Sequence, residues 1–102
     1  MTCESQAQAD HIAQSLVSDR LAACVNVVPG IRSCYIWEEK LAWSEEVLLM
    51  IKTTRARFDP LQDRVKSLHS YSVPEIVGVP IGDASAQYAD WLDAAVGEGN
   101  CS

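Results

Sequence analysis

Five apolar residues in succession, Val47 to Ile51, interrupt a chain that otherwise mixes apolar and polar positions. A strand wetted on one face alternates, so an unbroken run predicts a β-strand, Val47 to Thr54, covered on both faces. The helices of a small chain bury one face. The other needs a partner, most simply a second copy of the same subunit. Lys52 closes the run, either as a solvated strand end or as a charge aimed into a pocket.

Helical spacing appears three times. Ser5 and Gln8 stand as N-cap and N3 partner before Ala9, Ile12, Ala13, Leu16 and Val17, which predicts a helix from about Gln6 to Asp19, with His11 on its exposed flank. Phe58, Leu61, Val65 and Leu68 form the stripe of a second helix, with Asp59, Pro60 and Gln62 as N-cap, N1 and N3 after a looser turn. Tyr88, Trp91, Leu92, Ala95 and Val96 form the face of a third, and Gly97 to Ser102 reads as a frayed tail. Strand chemistry fills Ala22 to Trp37, where Pro29 and Gly30 predict a bend, a bulge or an edge. Glu38 to Ser44 is polar enough to be the loop of an antiparallel hairpin. After a break at Ser70 to Pro74, Glu75 to Ile81 reads as a short last strand and Gly82 with Asp83 as a turn.

The order helix, strand, strand, helix, strand lacks only an opening strand to be the split βαβ, or ferredoxin-like, α+β fold (βαββαβ plus a C-terminal helix), in which the sheet order is 4-1-3-2. Met1, Thr2 and Cys3 supply only the end of that first strand, which is largely missing. Glu75 to Ile81 then has no sheet neighbour in the chain, so the expectation is an upstream start or a strand from another chain.

Composition narrows the class. One hundred and two residues, 48% of them hydrophobic, make a single domain, 1–102, with no repeat or linker. A net charge of −6 and a pI near 4.7 argue against nucleic acid or an anionic membrane as partner. Cys3, Cys24, Cys34 and Cys101 have no CxxC spacing and read as reduced thiols, two of them small core residues on a strand. No stretch approaches the roughly 18 apolar residues of a membrane span, and the expectation is a soluble cytoplasmic protein.

Chemistry is sparse. GxSxG, P-loop, GxGxxG and HExxH patterns are all missing, and the two histidines, His11 and His69, are not spaced to pair with a thiol. The carboxylate pairs Glu38–Glu39 and Glu45–Glu46 read as solvated charge beside a loop. No enzyme is indicated. Tyr35, Trp37, Lys52, His69, Tyr71 and Glu75 concentrate at strand ends instead. Lys52 and Glu75 either pair with each other or help line a pocket at a subunit junction.

The runs "RLAACVNVVPGIRSCYIWEEK", "EVLLMIKTT", "LHSYSVPEI" and "YADWL" resemble, in order and spacing, the divalent-cation tolerance protein (CutA) family, from Thr2 to about Ala95. The resemblance implies a ferredoxin-like subunit in a tight homotrimer built through inter-subunit sheets, similar to the PII signalling proteins, and a cytoplasmic role in the response to copper and other divalent cations. Copper binding in some members is attributed to a first-strand cysteine and two adjacent histidines. Here those positions hold Met1, Leu68 and His69, so His69 with a sulfur from Cys3 or Met1 is the donor set the resemblance leaves. Cys24, Tyr35, Trp37, Lys52, Tyr71, Pro74, Glu75 and Trp91 match residues the family places near subunit junctions. Three functions follow: a trimeric metal-response protein with copper binding; a PII-like trimer sensing a small anion or metabolite in inter-subunit clefts lined by Tyr35, Trp37, Lys52, Tyr71 and Glu75; and a ligand-free structural or interaction trimer.

Overall fold

The fold is set by one long hairpin and the helices that cover one side of it. In the computed structural model, which describes residues 1–97, strand β2 (Cys24–Trp37) runs antiparallel to β3 (Lys40–Lys52), from Cys24 opposite Lys52 to Trp37 opposite Lys40. The register shifts between Val28 and Ile31, and Gly30 has φ +80°, so the Pro29–Gly30 pair is a bulge. The loop expected over Glu38 to Ser44 is corrected to a two-residue turn. Glu38 and Glu39 have φ +50° and +66°, the left-handed pair that matches the twist of flanking strands, and Lys40 to Ser44 already belong to β3. Cross-strand partners hold them there: Leu41 faces Ile36, Trp43 faces Cys34, and the Arg32 guanidinium lies 4.6 Å from the Trp43 ring centre.

The short strand β1 (Thr2–Cys3) pairs antiparallel with β3, Thr2 opposite Leu48 and Cys3 opposite Val47. The order β1-β3-β2 makes the apolar run the central strand, as expected, although it ends at Lys52 and not at Thr54. This is positions 1-3-2 of the ferredoxin-like sheet. The fourth strand expected at Glu75 to Ile81 does not form a ladder, because its sheet neighbour would be β1, which offers only two residues. The segment still lies beside it, with Ile76 packed on the core and Glu75 accepting a hydrogen bond from the Thr2 hydroxyl at 3.4 Å.

Helix α1 (Gln6–Ser18) starts where Ser5 Oγ accepts the Gln8 N–H and buries Ala9, Ile12 and Leu16. Helix α2 (Phe58–Leu68) buries Leu61 and Val65. The Asp59 cap is corrected: a 3₁₀ turn over Arg55–Arg57 leads straight into α2, with its Arg57 N–H already bonded to Thr54 O, so no side-chain cap forms. Helix α3 (Ala86–Val96) is capped by Ser85 and buries Leu92 and Val96, while Tyr88 and Trp91 stand outside in ring contact at 5.6 Å. Arg20 and Arg57 donate to its last carbonyls, Ala95 O and Val96 O, where a cation is favoured. Apart from Gly97, the tail expected to fray lies outside the described residues, as does Cys101.

Val47 and Leu49 join Cys3, Ala9, Ile12, Leu16, Ala22, Leu61 and Val65 in the core. The other face of β3 is only partly covered in the single chain: Met50 is 51% exposed and Val28, across the ladder from Leu48, 37%. The far half of the hairpin shows Ile36, Trp37, Leu41 and Trp43 to solvent, and Cys34, expected to be a small core residue, is exposed there too.

Candidate functional site

The polar residues that the fold gathers lie where the open face of β3 meets the turn after α2. Helix α2 ends with the His69 N–H bonded to Val65 O, after which the backbone extends and swings the His69 ring back to the first strand. The ring is nine-tenths buried. Its Nδ1 accepts the Tyr71 N–H at 3.0 Å, so that nitrogen carries no proton. Nε2 therefore holds the proton and donates it to Thr2 O at 2.8 Å.

Tyr71 continues the chain of bonds. Its ring lies 4.7 Å from that of His69, and its hydroxyl donates to Glu46 Oε2 at 2.8 Å. Ser33 Oγ donates to the other carboxylate oxygen at 2.6 Å. Glu46 is only 8% exposed, so two hydroxyl donors compensate a carboxylate removed from water. Burial, and then the bond to Glu46, hold the Tyr71 phenol well above its usual pKa, with Tyr35 adding a smaller upward push. Five residues from β1, β2, β3 and the turn after α2 are thus linked in one line: Thr2, His69, Tyr71, Glu46 and Ser33.

Reading Glu45–Glu46 as solvated charge missed Glu46. The available signal was parity: Glu46 shares a strand face with Leu48 and Met50, at the threshold of the apolar run. Glu45, on the opposite face, is exposed as expected.

The other expected site residues separate. Tyr35, opposite Ala42, lies on the same face as Glu46. Trp37 pairs with Lys40 at the hairpin tip and Lys52 pairs with Cys24 at the other end. The thirteen residues from Lys40 to Lys52 span roughly 40 Å at strand rise, so Trp37 and Lys52 cannot line one cleft within a chain. The Lys52–Glu75 pair is corrected as well: Lys52 Nζ donates to Asn26 Oδ1, while Glu75 is bonded to Thr2.

A copper ion held by His69 and Cys3 does not fit these side chains as they stand. A soft metal needs a thiolate and an imidazole nitrogen with a free lone pair. Cys3 is fully buried, and burial pushes its thiol up to about 11. Both His69 nitrogens are bonded to backbone. Met1 is partly buried against the core, and no group of three or more His, Cys, Asp or Glu able to hold a metal occurs among the described residues.

Comparison with known proteins is unambiguous about kinship. The family model described as CutA1 divalent ion tolerance protein matches residues 1–95. The divalent-cation tolerance protein CutA of Thermus thermophilus is 49% identical over 92 residues, 90% of this chain and 89% of its own length. The solved structure of the Cut A1 protein from that organism superposes with a TM-score of 0.87 over 89% of this chain and 88% of that one. The crystal structure of CutA1 from Oryza sativa is 41% identical, with a TM-score of 0.93 over 95% and 89% of the two chains. A rice relative called chloroplastic is 42% identical over 90% of this chain, which spans only 52% of its length. No helix among the described residues is long and apolar enough to cross a membrane. With its α+β sheet, its open hairpin face and a match running through nearly all of its length, the chain belongs to the CutA1 divalent ion tolerance protein family.

Proposed function

We propose that the protein works as a cytoplasmic homotrimer in the response to divalent metal ions, copper among them. The observation that carries this reading is the second face of β3. Met50 is as apolar as the Val47 and Leu49 that the helices cover, yet it is half exposed, Leu48 beside it is only partly buried, and the exposed Tyr35 and Trp37 of the hairpin arm lie on the same face. A second and third copy supply that cover, with the number three resting on the family resemblance. The relatives' name, divalent-cation tolerance protein, supports the metal-response part, and the three free thiols among the described residues suit a reducing compartment.

The test has two stages. Light scattering of the purified protein gives a mass of three subunits, and Met50→Glu, which places a charge on the open face, lowers it. Next, a strain lacking the endogenous gene loses tolerance to added copper and regains it with the wild-type chain but not with Met50→Glu. A monomeric wild type, or equal copper tolerance with and without the gene, sinks the reading.

A second reading has one observation in its favour: Tyr35, Glu46 and Tyr71 form a polar patch on that same open face, where another copy would close over it. In this PII-like alternative a small anion or metabolite binds between subunits, and Lys52→Met abolishes its binding without altering assembly.

A further inference from the structure

We infer that His69 is a closed latch and not a metal ligand: it ties the first strand to the turn after α2 and positions the Tyr71 hydroxyl on Glu46. The inference stands apart from the trimer reading, because every bond it uses lies within one chain. It assigns the metal of the family's name, whatever donors hold it, to a set that excludes His69.

Geometry makes the case. A ligating histidine commonly offers one ring nitrogen to the metal and anchors the other on a protein group. His69 has both anchored, Nδ1 on the Tyr71 N–H at 3.0 Å and Nε2 on Thr2 O at 2.8 Å. Neither partner can follow the ring if it turns. Thr2 O belongs to a residue paired with Leu48 in the sheet, and the Tyr71 N–H sits two residues along the same backbone. Releasing either nitrogen to an ion therefore strands a backbone donor or acceptor beside a ring that is nine-tenths buried.

The nearest sulfur does not help. Cys3 is fully buried among Ala9, Ile12 and Leu16, and Glu46 carries its charge into two hydroxyl bonds. What the latch accomplishes instead is placement. Tyr71 lies in a stretch with no ladder of its own. One end of the residue is fixed by its N–H on His69, and the other by its hydroxyl on Glu46. His69 is thus a positioning residue for Glu46, the buried carboxylate on that face.

Three substitutions separate the latch from a ligand. In His69→Asn the amide oxygen takes the place of Nδ1 and accepts the Tyr71 N–H. In His69→Gln the amide nitrogen reaches the place of Nε2 and donates to Thr2 O. His69→Ala does neither, and all three side chains are poor copper donors. Cu(I) alone, delivered anaerobically from a chromogenic chelator, is titrated against each full-length protein, and melting is followed in parallel. The latch predicts that His69→Ala lowers the melting temperature by about 5–10 °C, that Asn and Gln each recover part of it, and that Cu(I) affinity changes less than about tenfold in all three. Long-range proton–nitrogen correlation on the wild type places the ring proton on Nε2. A loss of Cu(I) affinity of about tenfold or more common to all three variants overturns the inference. So does a ring proton on Nδ1, or melting of His69→Ala at the wild-type temperature.

Discussion

Removing the Tyr71 hydroxyl tests the contact that compensates the buried Glu46 carboxylate. Tyr71→Phe keeps the ring, and with it the 4.7 Å contact to His69, and deletes only the donor that lies 2.8 Å from Glu46 Oε2. Glu46 is 8% exposed, so water cannot freely replace what is lost, and Ser33 remains as the sole side-chain donor. Hydrogen bonds to charged groups contribute about 1.5–3 kcal/mol, which is the expected loss of stability at pH 7. Glu46→Gln should weaken the same contact, because a neutral amide accepts less strongly. The double variant should fall short of the sum of the two by about 1 kcal/mol. Urea unfolding at fixed subunit concentration is the assay, since assembly makes stability concentration-dependent, and the slope with urea should not change. A loss below about 0.5 kcal/mol for Tyr71→Phe, or strict additivity in the double variant, would refute the claim that this bond compensates the buried carboxylate.

Three further outcomes follow from the structure. Leu49, 1% exposed in the core, should lose about 2–5 kcal/mol as Leu49→Ala, read from the same urea curves. Replacing Glu38 and Glu39 by Asn and Gly relieves two left-handed residues, φ +50° and +66°, and should raise stability by about 1–2 kcal/mol. No gain would mean that the turn is not strained. Cys3 predicts an alkaline limb: burial pushes its thiol from the ordinary 9.0 to about 11, so the folded chain keeps a proton that the unfolded chain gives up. Rising pH then favours unfolding. Stability should be whole below pH 9 and fall by up to about 2–3 kcal/mol as pH passes 11. The raised Tyr71 phenol acts in the same direction once pH exceeds its ordinary value, so the measurement belongs in the Tyr71→Phe background, where Cys3→Ala should flatten the curve.

What the sequence disclosed depended on whether local chemistry or a distant neighbour decides the structure. Ser5 caps α1 and Gly30 makes the bulge because each acts through its own backbone, and both were legible. The Glu38–Glu39 turn carries none of the Asn-Gly chemistry that announces a hairpin. The ladder from Trp37–Lys40 to Ile36–Leu41 forces the turn closed from outside. Glu75 to Ile81 shows the reverse error. Its strand propensity describes a fit to a pleated, partly buried surface, and without a neighbour to bond there is no strand. Glu46 was missed for a related reason: its charge says exposed, and burial becomes tolerable through the Ser33 hydroxyl and the arrival of the Tyr71 hydroxyl from beyond α2.

That arrival also explains how a long, thin hairpin holds one register. A slip of a single residue would exchange the faces of β3, moving Val47 and Leu49 out of the core. Near β1 and the helices the core alone forbids it. Farther out, where Ile36, Trp37, Leu41 and Trp43 are exposed, the core no longer reaches. There the bulge at Gly30, the Arg32 guanidinium on Trp43, and Ser33 and Tyr71 on the two oxygens of Glu46 take over. The first of the side-chain contacts lies on the odd face of β3 and the other on the even face. A slip would break both and present Glu45 where Glu46 stands, so the buried carboxylate reports the register of the arm. Tyr71→Phe should accordingly loosen the hairpin beyond Gly30 before it loosens the core, seen as faster amide exchange at Tyr35 and Trp43 with Leu49 unchanged. Uniform exchange throughout β3 would show that the arm keeps its register without this contact.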